Sequence, residues 1–174
     1  MGVSLGTGPH TWPGGPEDAW QPVDCTAAVP PAAVAEVLET GLEESVHIVR
    51  RSRVSQGRPV AAELLYVPQS SAPELPGIDA PSGAARARAV LRELQRLELD
   101  RQENAVELGS AGADDAKELD RLPGAPVLVV TTRFVAAGRV AALSVATYRA
   151  DTCRLTFGDA GGVEIHAGPQ RQAS

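Results

Sequence analysis

Apolar residues recur along this chain at two spacings, and the switches between them predict its elements. Helical spacing puts Val34, Val37 and Leu38 on one side of a helix that Pro31 opens and Gly41 ends. The same spacing predicts a longer helix from Ala84 to Leu97. Ala87, Val90, Leu91, Leu94 and Leu97 form its inner face, and Arg86, Arg88, Arg92, Glu93 and Arg96 lie on sides read most simply as solvated. A short helix capped by Ser110 or Asp114 turns Ala116, Leu119 and Leu122 inward before Pro123-Gly124 stops it. Alternation predicts strands over Val23 to Val29, Glu103 to Ala111 and Cys153 to Phe157, and two hairpins, Val49 to Pro68 and Ala125 to Ala150. Pro68 to Gly83 is a loop, because prolines at 68, 73, 76 and 81 prevent regular pairing.

The first hairpin carries charge inside its strands. Gly57 supplies the positive φ that a short loop needs, and the loop length sets the register. Two loop residues would set Arg53 against Val60; three, ending in a left-handed Gly57, would set Arg51 against Ala61 with Glu63 on its diagonal. The three-residue loop is favoured. It puts Arg51, Arg53, Ala61, Glu63 and Leu65 on one face, where charges are either solvated or form a polar pocket. The hairpins also resemble each other. Val54 to Ala61 and Val135 to Ala142 match as V-x-x-G-R-x-x-A, and each match is followed by a tyrosine, Tyr66 or Tyr148. Two related hairpin halves completing one antiparallel sheet, with helices covering its faces, predict an α+β fold.

A chain of 174 residues that is 43% hydrophobic suffices for one domain with a sizeable core. Aromatics are only 3%, so Val, Leu and Ala must build that core. The net charge of -6 argues against general affinity for nucleic acid. Of the 16 basic residues only Lys117 is a lysine, so Arg51 and Arg53 could equally be surface partners of Glu63. Cys25 and Cys153 are read as reduced thiols. No basic leader followed by an apolar run and no membrane-length stretch is present, so a soluble cytoplasmic location is expected. His10, His47 and His166 stand singly, without metal-ligand spacing, and no nucleophile motif or phosphate loop appears; neither catalytic residues nor a metal nor a cofactor is expected. Residues 1–22, rich in Gly and Pro, are expected to be a flexible lead-in anchored by Trp12 and Trp20. Residues 23–157 form the domain, and 158–174 a flexible tail.

The order of helix, R-x-R strand, G-R-P turn, A-x-E-x-x-Y-x-P, amphipathic helix, L-P-G-x-P-V, second hairpin and Y-R-A-D, from Val23 to Phe157, resembles the UTRA domain. That is the effector-binding half of HutC-type regulators in the GntR family, with a chorismate-lyase-like fold. Such regulators carry a DNA-reading winged helix, and the stretch before Val23 is too short for one. A sensor domain that does not itself bind DNA is therefore expected. The resemblance implies that Arg51 and Arg53 hold an anionic group, with Glu63 and Tyr148 making hydroxyl-recognising contacts and with homodimers as the assembly. Other polar positions of that pattern fall at Ala89, Leu91 and Ala142, which implies a pocket with one cationic end and a more apolar body. The alternative is a stand-alone enzyme or binding protein of the same fold acting on a small carboxylated metabolite.

Overall fold

The computed structural model describes residues 12–15, 19–73, 75, 83–157 and 163–167, with backbone alone for 155–157 and 163–167. Its order is β1 (Gln21–Ala28), α1 (Ala32–Leu38), β2 (Val46–Ser55), β3 (Arg58–Val67), a 3-10 turn (Gln69–Ser71), α2 (Ala84–Gln95), β4 (Arg101–Ser110), α3 (Ala113–Glu118), β5 (Pro126–Ala136), β6 (Arg139–Arg149), β7 (Cys153–Phe157) and β8 (Val163–Ala167). Strands β1-β2-β3-β6-β5-β4 form one antiparallel sheet in that order, and β7 pairs with β8 separately.

Both hairpins turn on two residues of positive φ: Gln56 (52°) and Gly57 (75°) in the first, Ala137 (52°) and Gly138 (75°) in the second. These signs belong to the turn whose twist matches that of the strands it joins. The expected three-residue loop therefore does not form. Ser55 pairs with Arg58, Val54 with Pro59 and Arg53 with Ala61, which leaves Val60 as an extra residue in a bulge. Arg51 consequently lies directly opposite Glu63, not diagonal to it. The register moves by an even step from the expected one, so the face assignment is retained. Ala141, which holds the place of Val60 in the repeated motif, is the matching extra residue of the second hairpin.

Two halves, β1-α1-β2-β3 and β4-α3-β5-β6, meet where β3 and β6 pair. There Leu64 stands opposite Val145, its own counterpart in the repeat, so a local two-fold passes between them. The two tyrosines do not obey it. The counterpart of Tyr66 is Thr147, and Tyr148 is the next residue along, which sends the two rings to opposite faces.

Helix α2 lies on the Arg51 face, burying Val90, Leu91 and Leu94 against Val49, Leu65 and Phe134. Each large side chain buried there stabilises the fold by about 1.5 to 3 kcal/mol. On the other face α1 packs Val34 and Leu38 against Val46, Tyr66 and Leu143, and Ala116 of α3 and Leu119 just after it pack against Val127. Two helix ends differ from expectation. Glu39, with φ 56°, ends α1 before Gly41, and α3 ends at Glu118, leaving Leu122 81% exposed instead of inward. Asp120, with φ 53°, turns the chain away first.

Most of the expected lead-in and tail lies outside the described residues. Of the described parts, Trp12 is buried on Phe134, and Val163–Ala167 forms β8. No helix among the described residues is long and apolar enough to cross a membrane.

Candidate functional site

The charged residues predicted from the sequence converge on the α2 face of strands β2, β3 and β6. Alternation along β2 points Arg51 and Arg53 to this side, and pairing with β3 brings Glu63 opposite Arg51. Arg51 and Glu63 are 4% and 6% exposed, so theirs is a buried pair, not the surface pair the sequence left open. It is bidentate, with Nε donating to Oε1 at 2.6 Å and Nη2 to Oε2 at 2.8 Å. Ser144 Oγ on β6 donates to Glu63 Oε2 at 2.7 Å. The Trp20 ring lies over the guanidinium, 5.5 Å from its carbon. Arg51 is thus charge-balanced within the fold.

Arg53 is placed differently. It is half-buried, and among the described residues no carboxylate forms an ion pair with it. Its cross-strand neighbour is Ala61, whose neighbour in turn is Tyr148. The single methyl between them leaves room for Arg53 to approach the phenol. Burial pushes the Tyr148 hydroxyl up to about 12; hydrogen bonding and charge from Arg53 oppose that rise, while the Glu63 charge adds to it. The phenol is therefore a neutral donor and acceptor at physiological pH. Burial likewise raises the Cys153 thiol, and Arg53 again opposes the shift. Trp20 meets Tyr148 edge-on, with ring centres 5.8 Å apart. The floor around these groups is apolar, made by Ala61, Leu128, Val130 and Ala146.

All four predicted site residues, Arg51, Arg53, Glu63 and Tyr148, thus share one face. Sequence reasoning missed Ser144, Cys153 and the role of Trp20. Ser144 had a usable signal, since it is the counterpart of Glu63 in the second hairpin. Thr132, the counterpart of Arg51, donates to Asn104 Oδ1 at 2.8 Å, so a second, uncharged polar pair occupies the other half. Leu91 and Ala142 are buried in the apolar core under α2, where they offer no polar contact. Arg149 binds Asp151 at 2.8 Å and organises the end of β6.

The family model of the UTRA domain matches residues 20–154. The chain belongs to the UTRA domain family. The assignment makes it a regulatory, effector-binding domain of the type found in GntR-family regulators. No curated protein sequence matches this UTRA domain. Among solved structures it is similar to the C-terminal domain of the histidine utilization repressor from Pseudomonas syringae pv. tomato, with TM-score 0.64 and 19% identity over 80% of this chain and 96% of that one. A GntR-family transcriptional regulator from Enterococcus faecalis superposes with TM-score 0.64 and 16% identity, covering 80% and 99% of the two chains. The PhnF C-terminal domain gives TM-score 0.61 and 24% identity, covering 76% and 83%. These likenesses establish the shared fold of this UTRA domain.

Proposed function

We propose that this UTRA domain is the sensor of a HutC-type regulator and binds a small anionic metabolite, with Arg53 as the principal anion contact. The observation that carries this is the asymmetry of the two arginines. Arg51 is neutralised by Glu63 and held under Trp20, whereas Arg53 has no described carboxylate partner and borders an apolar floor. A guanidinium so placed favours a carboxylate or phosphate, and Tyr148 adds neutral hydrogen-bonding capacity beside it. Calorimetry with inorganic phosphate and a series of mono- and dicarboxylates tests the reading. Arg53→Ala should weaken the best binder roughly 10- to 150-fold, the equivalent of a lost charged hydrogen bond. Unchanged affinity in a folded Arg53→Ala variant would refute it.

The same reading has the domain working as a homodimer and leaving DNA contact to other parts of the regulator. Among the described residues strands β1 and β4 end the sheet with unpaired edges, and Leu108 on β4 is 81% exposed, which favours a covering partner. The net charge of -6 supports the absence of DNA affinity in this chain. Light scattering giving the 18.1 kDa monomer mass at micromolar concentration, or sequence-selective DNA binding in a gel shift, would count against these two points.

A further inference from the structure

The repeat that builds the sheet is unequal on the face that α1 and α3 share. Ala62 of β3 stands opposite Thr147 of β6, and their counterparts in the repeat, Leu143 and Tyr66, stand opposite each other toward the other end of the same two strands. On the α1 side Tyr66 and Leu143 are large enough to pack against Val34 and Leu38. On the α3 side the same two places hold an alanine and a threonine, and the volume that these small side chains do not fill remains as a groove of about 910 Å³ beside α3. Ligand pockets span about 300 to 1,000 Å³, so the groove is of that size. Leu64 and Val145, the pair on the local two-fold, continue its floor.

The floor is apolar and the rim is acidic. Arg50 closes one end, but it pairs with Glu118 and is charge-balanced there. Asp114, Asp115 and Lys117 complete the rim and form no ion pair among the described residues, which sets two carboxylates against one ammonium. Burial pushes the Asp115 carboxyl up, and the charges of Glu118 and Asp114 add to the rise, as expected of a carboxylate that lacks a cation. A second polar group lies beneath this rim. Thr147 is only 7% exposed, and its hydroxyl opens into the groove without a hydrogen bond to any described residue. A hydroxyl so buried is satisfied only by a partner from within the groove.

We infer that this groove is a second binding site, on the opposite face of the sheet from Arg53, for a small organic ammonium ion. Its apolar body takes the volume that Tyr66 and Leu143 fill in the other half, its ammonium group meets Asp115, and the Thr147 hydroxyl supplies a further acceptor. Charge complementarity selects a cation, and Ala62, Leu64 and Val145 select an apolar body. The Arg53 site favours the opposite charge and lies across the sheet, so neither reading depends on the other.

Calorimetry of the intact chain with 2-phenylethylamine tests this, with ethylamine as the ring-free control. 2-Phenylethylamine should bind saturably at millimolar concentration, and ethylamine at least about tenfold more weakly because it leaves the apolar floor uncovered. Asp115→Asn removes the charged partner and should weaken 2-phenylethylamine by about 10- to 150-fold. That side chain is half-buried and holds no ion pair, so the variant should melt like the parent. Thr147→Tyr puts into this half the residue that Tyr66 provides in the other and should abolish binding. Arg53→Ala should leave the amine affinity unchanged. No saturable binding, ethylamine binding as tightly, or unchanged affinity in either folded groove variant overturns the inference. So does a groove occupied by a second copy of the chain, which would show as a dimer that Thr147→Tyr dissociates and that takes up no amine. A loss produced by Arg53→Ala also overturns it by moving the amine to that site, while the phosphate and carboxylate titrations still decide the Arg53 reading.

Discussion

The buried pair of Arg51 and Glu63 offers the sharpest test of how this face is built. Glu63→Leu would take the bidentate carboxylate from a guanidinium that is 4% exposed, and Arg51→Met would take the guanidinium from a carboxylate that is 6% exposed and still accepts from the Ser144 hydroxyl. Removing one partner of a buried ion pair costs about 3 to 5 kcal/mol, because the remaining charge keeps its desolvation penalty without its counter-charge. For a domain of this size each kcal/mol lowers the melting temperature by about 2 to 4 °C, so each single variant should melt roughly 6 to 20 °C lower. The double variant removes both charges together and should be less destabilised than either single one, within about 2 kcal/mol of the parent. Urea unfolding of the four proteins completes the cycle. Single losses below about 1 kcal/mol that simply add would refute the reasoning, because that is how a solvated surface pair behaves.

Three further outcomes are expected. The His47 ring is buried and its pKa is lowered by desolvation and then by Arg86, whose Nη2 lies 3.4 Å from Nδ1. The folded state then binds fewer protons there than the unfolded chain, so stability is full above about pH 6.5 and falls as the pH drops through the lower folded value. Urea midpoints at about pH 7.5 and about pH 5.5 should show a larger acid loss for the parent than for His47→Gln, and equal losses would argue against the assignment. Burial raises both phenols of the chain, Tyr66 and Tyr148, the latter to about 12, so ultraviolet titration at pH 10 should find well under half of the tyrosine ionised; half ionisation would mean ordinary, solvated phenols. Gly57→Ala and Gly138→Ala each force a side chain to φ 75° in open space, so each should cost about 1 to 2 kcal/mol by denaturant unfolding, and no loss in either would show that the turns relax freely.

Local periodicity and turn chemistry made much of the fold legible. Helical spacing marked α2 almost to the residue, and the repeated V-x-x-G-R-x-x-A exposed two halves that the paired β3 and β6 do join. Alternation put Arg51 and Arg53 on one side, and the favoured register added Glu63; the observed register differs from it by an even step, which leaves every face as it was. The register itself was not legible. Whether a spare residue enters the loop or a bulge depends on how the hairpin twist fits the neighbouring strands, and that fit put Arg51 opposite Glu63 instead of diagonal to it. Helix ends were similarly undecided by local sequence. Leu122 has the right spacing to face inward, but a left-handed Asp120 turns the chain before it can, because α3 must hand over to β5 at the sheet. Trp20 was visible as an anchor, yet only the assembled sheet put Arg51 and Tyr148 beneath it. The sequence by itself determined which residues carry charge, which faces they share and that the chain is built twice over. Tertiary structure decided which arginine is neutralised and which is left available, because the partner of a buried charge is chosen by contacts between strands far apart in the chain.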